Sequence, residues 1–589
     1  MPHIRHFLVR YEIIANMLDV TAALNTCHEV LSKEFDIEKV DVIPGLEYLP
    51  RTCIWKVLIP ALVGGKAEDI EAYIRFPQEF PYSMPSVILQ DDRFRLLPHI
   101  SVGTCTLCLY EDGTVFDTDN INGIIRDNIE KTRKWVEKYY GRDNTDEYAQ
   151  EIKNYWNEKY EGESYVDDYW LLLGEIPSTT CEMTGKAYSK RNLKDNKTIV
   201  MSIVSTDEND PTIEYICNSH HTKELPVLYV ESIKRASSPP YCMTGQELID
   251  SITNKRDLEV FKKFINRYGY GYILFPIGLD YALGGVHISR LFVDRPGFRK
   301  GMLRPFNVIT KFENTHKKLD RLHLAVYNEH RIAIRTYGKL MYERSFLIAG
   351  LGSIGSNLCY FLNGYNNAKF ILADRDSLTV DNIGRHLLGF ESVSQYKSFA
   401  VANFLQQYRP DRDVKAYCHD LQYLNNETFN KTSAIFVCTG DVMSEKWLIE
   451  KMINGSIIKP AFLMWLEPYG ISGIMIYLNP DDKDSIYRIK EKANDCFLNY
   501  CLIKRNEYED REKMTQRDAG CNGRYALYSA NDVTMFISSM FQFIDQLLEI
   551  PTKSKCYRWV GNVAIAQKKK ISLVPLSSLS KGMVQELPV

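Results

Sequence analysis

The stretch FLIAGLGSIGSNLCYFLNGYNNAKFILADRDSLTVDNIGRH, from Phe346 to His386, decides the fold of the C-terminal part of the chain. An apolar run leads into spaced glycines, and a second apolar run ends in two acidic residues. Strand, glycine turn, helix and strand in this order are typical of an α/β domain with a mostly parallel sheet. Further on, AIFVCTGD predicts another buried strand that ends in an acid.

The glycine turn has the spacing of a phosphate-binding loop. Gly350 allows a tight turn, Gly352 lets the backbone approach a phosphate, and Gly355 lets the helix lie close to the strand. The N-terminus of the following helix favours an anion. Asp374 follows about 20 residues later, where an acidic side chain accepts a hydrogen bond from a ribose hydroxyl. These residues predict a nucleotide site.

Polar residues beyond the second strand indicate which nucleotide chemistry is served. A hydride-transfer site needs a flat nicotinamide pocket, whereas cleavage between the α- and β-phosphates needs cations to offset charge and a carboxylate to hold Mg²⁺. Residues of the second kind are Asp376, Asn382, Arg385, Lys397 and Asp441. The sequence therefore favours cleavage of a nucleotide between its α- and β-phosphates, with Asp441 as the ligand of Mg²⁺.

The order of these motifs resembles that of the ThiF-type adenylating domain of ubiquitin-activating enzymes and of bacterial sulfur-carrier activators. The motifs are the glycine loop, acid-x-acid, Asn-x-x-Arg, Lys and an Asp at a strand end. The resemblance implies a Rossmann-like adenylation domain over residues 336–589 that binds ATP and Mg²⁺ and pairs as a homodimer. It implies catalytic roles for Arg385 and Lys397. His386 stands where the family often has Gln, and the paired Cys-x-x-Cys common in sulfur-carrier activators is absent after Asp441.

Acyl-adenylate chemistry leads to a thioester, so this domain needs a thiol that reaches the adenylate. In RDAGCNGRYALYSANDVTMF, Cys521 lies between glycines in a polar loop, and Arg517 nearby favours the thiolate. The segment resembles the Cys-Gly-x-x-x-x-x-Tyr-Ser-Ala stretch of bacterial activating domains, which implies that Cys521 forms the thioester. Cys496 and Cys501, in the helix-like run ANDCFLNYCLI, are predicted to be core residues.

Residues 1–150 predict an α+β domain. The runs CIWKVLIPAL, IEAYIRF and SVILQ indicate an antiparallel meander, and NINGIIRDNIEKTRKWVEKYY has helical spacing. The segment FPQEFPYSMPSVILQDD and the residues after it resemble the ubiquitin-conjugating fold. The matching residues are His99, Gly103, Leu107, Cys108 and Leu109.

This second resemblance implies that Cys108 is the acceptor thiol, with Cys105 as the competing candidate. The family usually carries His-Pro-Asn, whose Asn helps to stabilise the oxyanion, but this chain has His99-Ile100-Ser101. Ser101, backbone N–H groups or another residue would have to supply the donor.

Residues 151–335 predict a mixed α/β linker or docking domain. The polar stretch GRDNTDEYAQEIKNYWNEKYEGESY at its border indicates a charged helix or linker. A zinc site could be assembled on paper from Cys181, Cys217, His220, His221 and Cys242. None of these forms a close Cys-x-x-Cys pair, so dispersed buried thiols are the favoured interpretation.

Length and charge limit the classes of protein that the chain can represent. At 589 residues it exceeds one hydrophobic core, so roughly three or four domains are expected. Lys plus Arg number 72 against 75 Asp plus Glu, which argues against nucleic-acid binding. No secretory signal or membrane segment is predicted. Fourteen irregularly spaced cysteines are typical of free thiols in a reducing cytoplasm.

Together, the sequence predicts an α/β multidomain chain whose two end modules resemble the bacterial fusion enzyme of cyclic-oligonucleotide-based antiphage signalling (CBASS). The resemblance implies that the C-terminal carboxylate of a cyclic-nucleotide synthase (CD-NTase) is adenylated. The acyl group then passes to Cys521, to Cys108, and to a lysine amine of a target protein. The alternatives are a sulfur-carrier-activating adenylyltransferase, an NAD- or FAD-dependent oxidoreductase, and a scaffold whose thiols only fill the core.

Overall fold

A computed structural model of the chain divides into two compact units. The first comprises Met1–Glu208 and His221–Val326, and the second comprises Asn209–His220 and Tyr327–Val589. The residues that the structure describes are 20–48, 53–111, 113–158, 160, 169–191, 198–279, 281–293, 297, 299, 301–311, 317–340, 342–517, 524–575 and 581–589.

An antiparallel sheet and two helices form the N-terminal region of the first unit. The strands, in their order across the sheet, are β1 (Asp36–Val40), β2 (Ile54–Val63), β3 (Lys66–Arg75) and β4 (Ser86–Ile88). The helices are α1 (Val20–Leu31) and α2 (Ile121–Tyr139). Side chains alternate between buried and accessible along much of β2, and α2 covers the buried face of the sheet. The predicted meander and amphipathic helix are confirmed.

Two short helices connect this region to the rest of the unit. They are α3 (Thr145–Gln150) and α4 (Ile152–Asn157). Their aromatic side chains Tyr148, Tyr155 and Trp156 are buried. The Trp156 Nε1–H donates to the Leu322 carbonyl oxygen at 3.0 Å, and the Arg321 guanidinium donates to the Trp156 carbonyl oxygen. Because one face of this stretch is aromatic, it is an anchored connection, although its charges predicted a solvated helix or linker.

The remainder of the first unit is a closed barrel of seven strands. In chain order they are β5 (Tyr169–Leu173), β6 (Cys181–Arg191), β7 (Thr198–Ser205), β8 (Thr222–Tyr229), β9 (Gly271–Pro276), β10 (Leu283–Ile288) and β11 (Asp320–Tyr327). Around the barrel the order is β10-β11-β5-β7-β6-β8-β9. The accompanying helices are α5 (Pro211–Ser219), which belongs to the second unit, α6 (Gly245–Asp250), α7 (Lys255–Tyr268) and α8 (Pro305–Lys311). Strands and helices together confirm the mixed α/β character of this region.

The cysteines and histidines of the middle region do not form the zinc site that the sequence left open. Within the described residues, no group of three or more His, Cys, Asp or Glu side chains could hold a metal ion. Cys181 and Cys242 are half-buried, whereas Cys217, His220 and His221 are exposed. The prediction that these thiols are buried is therefore wrong for Cys217.

An eight-stranded sheet organises the second unit. Its strands are β12 (Ser345–Ala349), β13 (Lys369–Ala373), β14 (Val414–Tyr417), β15 (Ala434–Val437), β16 (Ala461–Leu466), β17 (Ser472–Leu478), β20 (Lys555–Val560) and β21 (Val584–Leu587), and a separate two-stranded ribbon consists of β18 (Gln516–Arg517) and β19 (Arg524–Tyr525). The helices are α9 (Glu329–Tyr337), α10 (Ser353–Leu362), α11 (Lys397–Tyr408), α12 (Asn426–Asn430), α13 (Val442–Ile453), α14 (Lys483–Ala493), α15 (Arg511–Met514), α16 (Ala530–Glu549) and α17 (Val563–Lys569).

The parallel half of this sheet creates a crevice beside the glycine turn. The strand order is β14-β13-β12-β15-β16-β17-β20-β21, and β12 pairs in parallel with both β13 and β15. The chain leaves β12 through α10 toward β13 on one side and later returns to β15 on the other. Ligands of such sheets bind outside the carboxyl ends of the strands at this switch point. The predicted Rossmann-like arrangement is confirmed.

The most membrane-like stretch of the sequence lies inside this sheet. It forms β16 and β17, an antiparallel pair whose side chains are almost all buried. Among the helices that the structure describes, none is both long enough and apolar enough to cross a bilayer.

Candidate functional site

The glycine turn between β12 and α10 is shaped by backbone contacts. Gly350 has a φ of +83°, and a methyl group there would lie 2.7 Å from the Thr439 backbone. A methyl group at Gly355 would lie 2.0 Å from the Gly350 carbonyl oxygen. At Gly352, by contrast, a methyl group would meet no atom within 4 Å. Gly350 and Gly355 are thus required by the fold, whereas Gly352 leaves open space at the start of α10, where a phosphate could approach.

Asp374 closes β13 and is tied to the glycine turn. Its Oδ2 accepts the Leu351 N–H at 2.6 Å, and its Oδ1 accepts the Asp376 N–H at 2.8 Å. Burial raises the pKa of Asp374, although these hydrogen bonds oppose the shift. Each oxygen keeps a lone pair, so the carboxylate can still accept a ribose hydroxyl.

Lys397, the first residue of α11, lies beside the second acid of the pair. Its Nζ is 3.1 Å from Asp376 Oδ2, and its backbone N–H donates to the Asp376 carbonyl oxygen at 2.9 Å. The Lys397 side chain is 10% exposed, while that of Asp376 is 61% exposed. The ammonium group is therefore held in place from one side and faces the crevice on the other.

Arg385 and Asn382 occupy the segment between β13 and α11. The Asn382 Oδ1 accepts the Thr379 N–H at 3.1 Å, which holds the turn. The Arg385 Nη1 donates to the Ala526 carbonyl oxygen at 2.8 Å, and its Cζ lies 4.5 Å from the centre of the Tyr528 ring. The cation is thus stacked on an aromatic side chain just beyond Cys521. Sequence reasoning did not identify Tyr528, although it lay in the segment quoted for Cys521.

His386, which replaces the family's Gln, has a structural role. Its Nδ1 accepts the Leu388 N–H at 3.0 Å, so its Nε2 carries the proton that is donated to the Leu351 carbonyl oxygen at 2.7 Å. Burial lowers the pKa of His386 to about 4. The imidazole is therefore neutral and fixes the glycine turn through one donor, which an amide side chain can also supply.

Asp441 caps α13 at the carboxyl end of β15. Its Oδ1 accepts the Met443 N–H at 3.2 Å, and its Oδ2 accepts the N–H and the hydroxyl of Ser444 at 3.1 and 2.7 Å. Burial opposes ionisation, but the hydrogen bonds from Ser444 and Met443 prevail and lower the pKa of Asp441. The side chain is thus an oriented carboxylate.

Two adjoining cavities of about 440 Å³ each open beside the glycine turn. They meet at Gly352, Lys397, Cys438 and Thr439, which line both. The first, here called the acidic lobe, is lined by Gly350, Asp374, Arg375, Asp376, Asp420 and Asp441. The second, here called the aromatic lobe, is lined by Arg385, Glu445, Trp465, Cys496, Phe497 and Tyr528. The predicted residues from five separate segments therefore surround one continuous site.

The residues at the junction fit a magnesium nucleotide. The open space at Gly352, the start of α10 and the cations Arg385 and Lys397 suit phosphate oxygens, and Asp374 suits a ribose. Mg²⁺ is commonly held by one or two carboxylates together with substrate phosphates and water. Asp441 can supply one such ligand, because each of its oxygens accepts hydrogen bonds without filling every coordination direction.

Three cysteines were candidates for the first thiol, and the structure gives them different surroundings. Cys521 lies outside the described residues; the strands that flank it, β18 and β19, pair with each other. Cys501 is buried, as predicted. Cys496 is exposed and lines the aromatic lobe, so the prediction that it is a core residue is wrong. It follows the end of α14 at Ala493 and has a φ of +49°, so it does not continue the helix that the sequence suggested.

The second thiol lies in the first unit, on the turn after β4. Cys108 is exposed, and its backbone N–H donates to the His99 carbonyl oxygen at 2.8 Å. The His99 ring lies between two carboxylates, with Nε2 3.4 Å from Glu147 Oε2 and Nδ1 3.3 Å from Glu151 Oε1. Sequence reasoning missed both glutamates, because their stretch read as solvated.

Cys105 and Ser101 belong to the same turn. Cys105 is half-buried, and burial raises the pKa of its thiol. Burial raises the pKa of the Glu158 carboxyl group, and its neighbours Val102 and Ser101 oppose this rise. Ser101, one of the predicted oxyanion donors, thus lies near a carboxylate.

Comparisons with known proteins match both ends of the chain. Residues 55–164 match the model of prokaryotic E2 family B, and residues 332–522 match the model of the ThiF family. The chain is an E2-like region fused to a ThiF-family region. The E2-like region contains Cys108, and the ThiF-family match contains the glycine turn, both cavities' charged residues and Cys521.

Sequence identity to an individual relative is low. The ATP-dependent ubiquitin transferase-like protein Cap2 of Pseudomonas aeruginosa (strain BWHPSA011 / Pa011) is 24% identical over 200 residues, which are 33% of this chain and 34% of that protein. The chain therefore matches about a third of the length of this relative.

Two solved structures resemble parts of the chain weakly. The crystal structure of PaaA has a TM-score of 0.27 at 12% identity and covers 39% of this chain and 63% of its own. The second structure is Escherichia coli tRNA N6-threonylcarbamoyladenosine dehydratase, TcdA, in complex with AMP. It has a TM-score of 0.22 at 17% identity, and the match covers 25% of this chain and 64% of the TcdA chain. At these TM-scores neither likeness bears on function.

Proposed function

We propose that this protein uses Mg-ATP to adenylate the C-terminal carboxylate of a partner polypeptide, and then moves the acyl group through two thioesters to an amine. One observation carries the proposal. The acidic lobe and the aromatic lobe meet at Gly352 and Lys397, and the aromatic lobe is bounded by Ala526 and Tyr528, shortly after Cys521. A nucleotide and a polypeptide end can therefore meet beside residues that follow the thiol closely in the sequence.

The first step is attack on the α-phosphorus. An oxygen of the polypeptide carboxylate bonds to phosphorus, the bond from phosphorus to the bridging oxygen breaks, and pyrophosphate leaves with that oxygen. Lys397 lines the junction and Arg385 lines the adjoining aromatic lobe, and both would stabilise the negative charge that develops there. Mg²⁺, when held by Asp441, would neutralise the leaving pyrophosphate.

The later steps exchange the acyl group between sulfur atoms. The Cys521 thiolate attacks the acyl carbon, and the bond from that carbon to the AMP oxygen breaks. The Cys108 thiolate then attacks the same carbon and releases Cys521. Finally an amine, a lysine of the target protein, attacks and releases Cys108, forming an amide. The exposure of Cys108 supports its role, because an acceptor thiol has to be reached by two other groups.

The similarity to Cap2 and the order of the two family regions support a place in ubiquitin-like conjugation within CBASS. On this basis the activated polypeptide is a cyclic-nucleotide synthase of the CD-NTase class. A homodimer formed through the adenylation domain and a cytoplasmic location belong to the same proposal. Activation of a sulfur carrier, the alternative within the ThiF family, leaves the E2-like region without a role.

A pyrophosphate-exchange assay followed by a gel tests the proposal. Purified protein, Mg-ATP, labelled pyrophosphate and candidate synthases are expected to return label to ATP with one donor only. With that donor, non-reducing gels should show an adduct that thiol reductants release and that Cys521→Ala abolishes. Absence of exchange with every donor would refute adenylation, and bound NAD or flavin in the purified protein would favour the oxidoreductase.

A further inference from the structure

Arg385 lines the aromatic lobe as a cation without a counter-ion. Among the residues that the structure describes, no carboxylate lies within ion-pair distance of its guanidinium, whose hydrogen bond to the Ala526 carbonyl oxygen, at 2.8 Å, goes to a neutral group. By contrast, the Arg409 guanidinium of the same unit pairs with Asp411 at 3.2 Å. A guanidinium has five N–H donors, so most of those of Arg385 are left for a ligand with negative charge.

The ring of Tyr528 supports this cation. Arg385 Cζ lies 4.5 Å from the ring centre, within the distance at which an aromatic face attracts a cation. The ring is held in turn, because the Tyr528 hydroxyl lies 2.9 Å from the hydroxyl of Ser353, the first residue of α10. Neither the ring nor the Ala526 carbonyl oxygen carries a formal charge, so both contacts hold Arg385 without neutralising it. They also join the adenylation site to residues that follow Cys521 closely in the sequence.

We propose that Tyr528 is a positioning residue for adenylation: its ring, fixed through Ser353, keeps the Arg385 guanidinium ordered in the aromatic lobe, ready to bind the phosphate on which charge develops. This inference rests on the proposed function. An arginine side chain loses much rotamer freedom when it is ordered, and a cation that is already ordered avoids this cost at the moment of reaction. The benefit is realised in the transition state, so it falls on kcat.

A structural role for Tyr528 is the alternative, because the side chain also packs against the core of the second unit. A substitution that only loosened the core would lower the stability of the protein, but its effect on the reaction would not depend on Arg385. Dependence on Arg385 is therefore the property that separates the two roles.

The test measures pyrophosphate exchange by the full-length protein with the donor that supports it. Tyr528→Leu removes the aromatic face, whereas Tyr528→Phe keeps it and removes only the hydroxyl. Each is made alone, and Tyr528→Leu is also combined with Arg385→Ala. Tyr525→Leu is the control, since Tyr525 lies in the same segment, is 40% exposed and donates through its hydroxyl to Gln516 at 3.2 Å.

Tyr528→Leu is expected to lower kcat about tenfold, which corresponds to one lost cation–π contact, with the KM for ATP within about twofold of the wild type. Tyr528→Phe should keep kcat within about threefold of the wild type, because the aromatic face beside the guanidinium remains. In the Arg385→Ala background, Tyr528→Leu should add less than about a further twofold loss, since no guanidinium is left to position. The control should match the wild type.

A kcat of Tyr528→Leu equal to that of the control, a Tyr528→Phe variant as impaired as Tyr528→Leu, or an undiminished loss in the Arg385→Ala background would each overturn the inference. Melting curves show whether the Leu variant is folded; if it is not, Tyr528→Met, which has a flexible side chain and no aromatic face, replaces it with the same expectations. Wild-type protein that returns no label with any donor refutes the proposed function, and this inference with it. Exchange that is insensitive to Tyr528 refutes this inference alone.

Discussion

The two proposed reaction centres of this protein are built in different ways. In the ThiF-family region, the glycine turn, Asp374 and Asp441 follow the carboxyl ends of neighbouring parallel strands, and Lys397 begins α11 beside them, so the sheet and its helices bring these residues together. In the E2-like region, Cys108 lies on an exposed turn beside His99, whose ring lies between the carboxylates of a later stretch, Glu147 and Glu151. The first centre is positioned by secondary structure and the second by side-chain contacts, so their sensitivity to mutation should differ.

The largest expected effect concerns the two cysteines of the E2-like region. Cys108→Ala should abolish the second thioester completely, because no other thiol of that turn is both exposed and close to His99. Cys105→Ala should retain it, since burial raises the pKa of that thiol and keeps it protonated. Non-reducing gels with labelled donor check both variants. Loss of the adduct in Cys105→Ala alone would reverse the assignment.

In the adenylation centre, Lys397→Ala should lower pyrophosphate exchange by about two orders of magnitude or more, as expected for a lost charge-stabilising group. The melting temperature should change little, because the side chain has one salt-bridge partner, Asp376. Lys431→Ala is the matched control, since that exposed lysine pairs only with Glu427 on the same helix turn. Equal losses in both variants would argue against a role for Lys397 in the reaction.

The glycine turn allows stability and binding to be separated. Gly355→Ala places a methyl group 2.0 Å from the Gly350 carbonyl oxygen and should destabilise the second unit by about 3 kcal/mol. Gly352→Ala meets no protein atom within 4 Å, so its stability should stay close to wild type while nucleotide binding weakens. Denaturant unfolding and ATP titration measure the two effects. Tight ATP binding by Gly352→Ala would show that the phosphates do not approach this glycine.

The smallest expected effect is in the anchor of the Cys108 turn. Glu158→Gln removes the negative charge beside Ser101, Val102 and Gly103, and should slow release of the acyl group from Cys108 about threefold to tenfold. Pyrophosphate exchange should be unaffected, because it does not involve the E2-like region. Glu130→Gln on α2, where the carboxylate pairs with Arg133 at the surface, is the control. A rate equal to that of the control would mean that the turn keeps its shape without Glu158.

The same contrast explains which features could be read from the sequence. The order of glycines, acids and cations predicted the parallel sheet and the residues of the acidic lobe, because each signal sits at a fixed place relative to a strand. Glu445, a buried acid that lines the aromatic lobe, carried no such signal, since the same helix also has the exposed Glu450. The sequence predicted that Cys496 is a core residue, whereas in the structure it has a positive φ and lines the aromatic lobe. The partners of His99 could not be predicted, because the stretch that supplies them reads as a charged linker.

The anchoring of Trp156 determines what moves together with Cys108. The Trp156 Nε1–H donates to the Leu322 carbonyl oxygen, and the Trp156 carbonyl oxygen accepts from Arg321, so the last helix of the E2-like region is bonded to the last strand of the barrel. In the proposed reaction, Cys108 would therefore move together with the barrel of the first unit and not on a flexible tether.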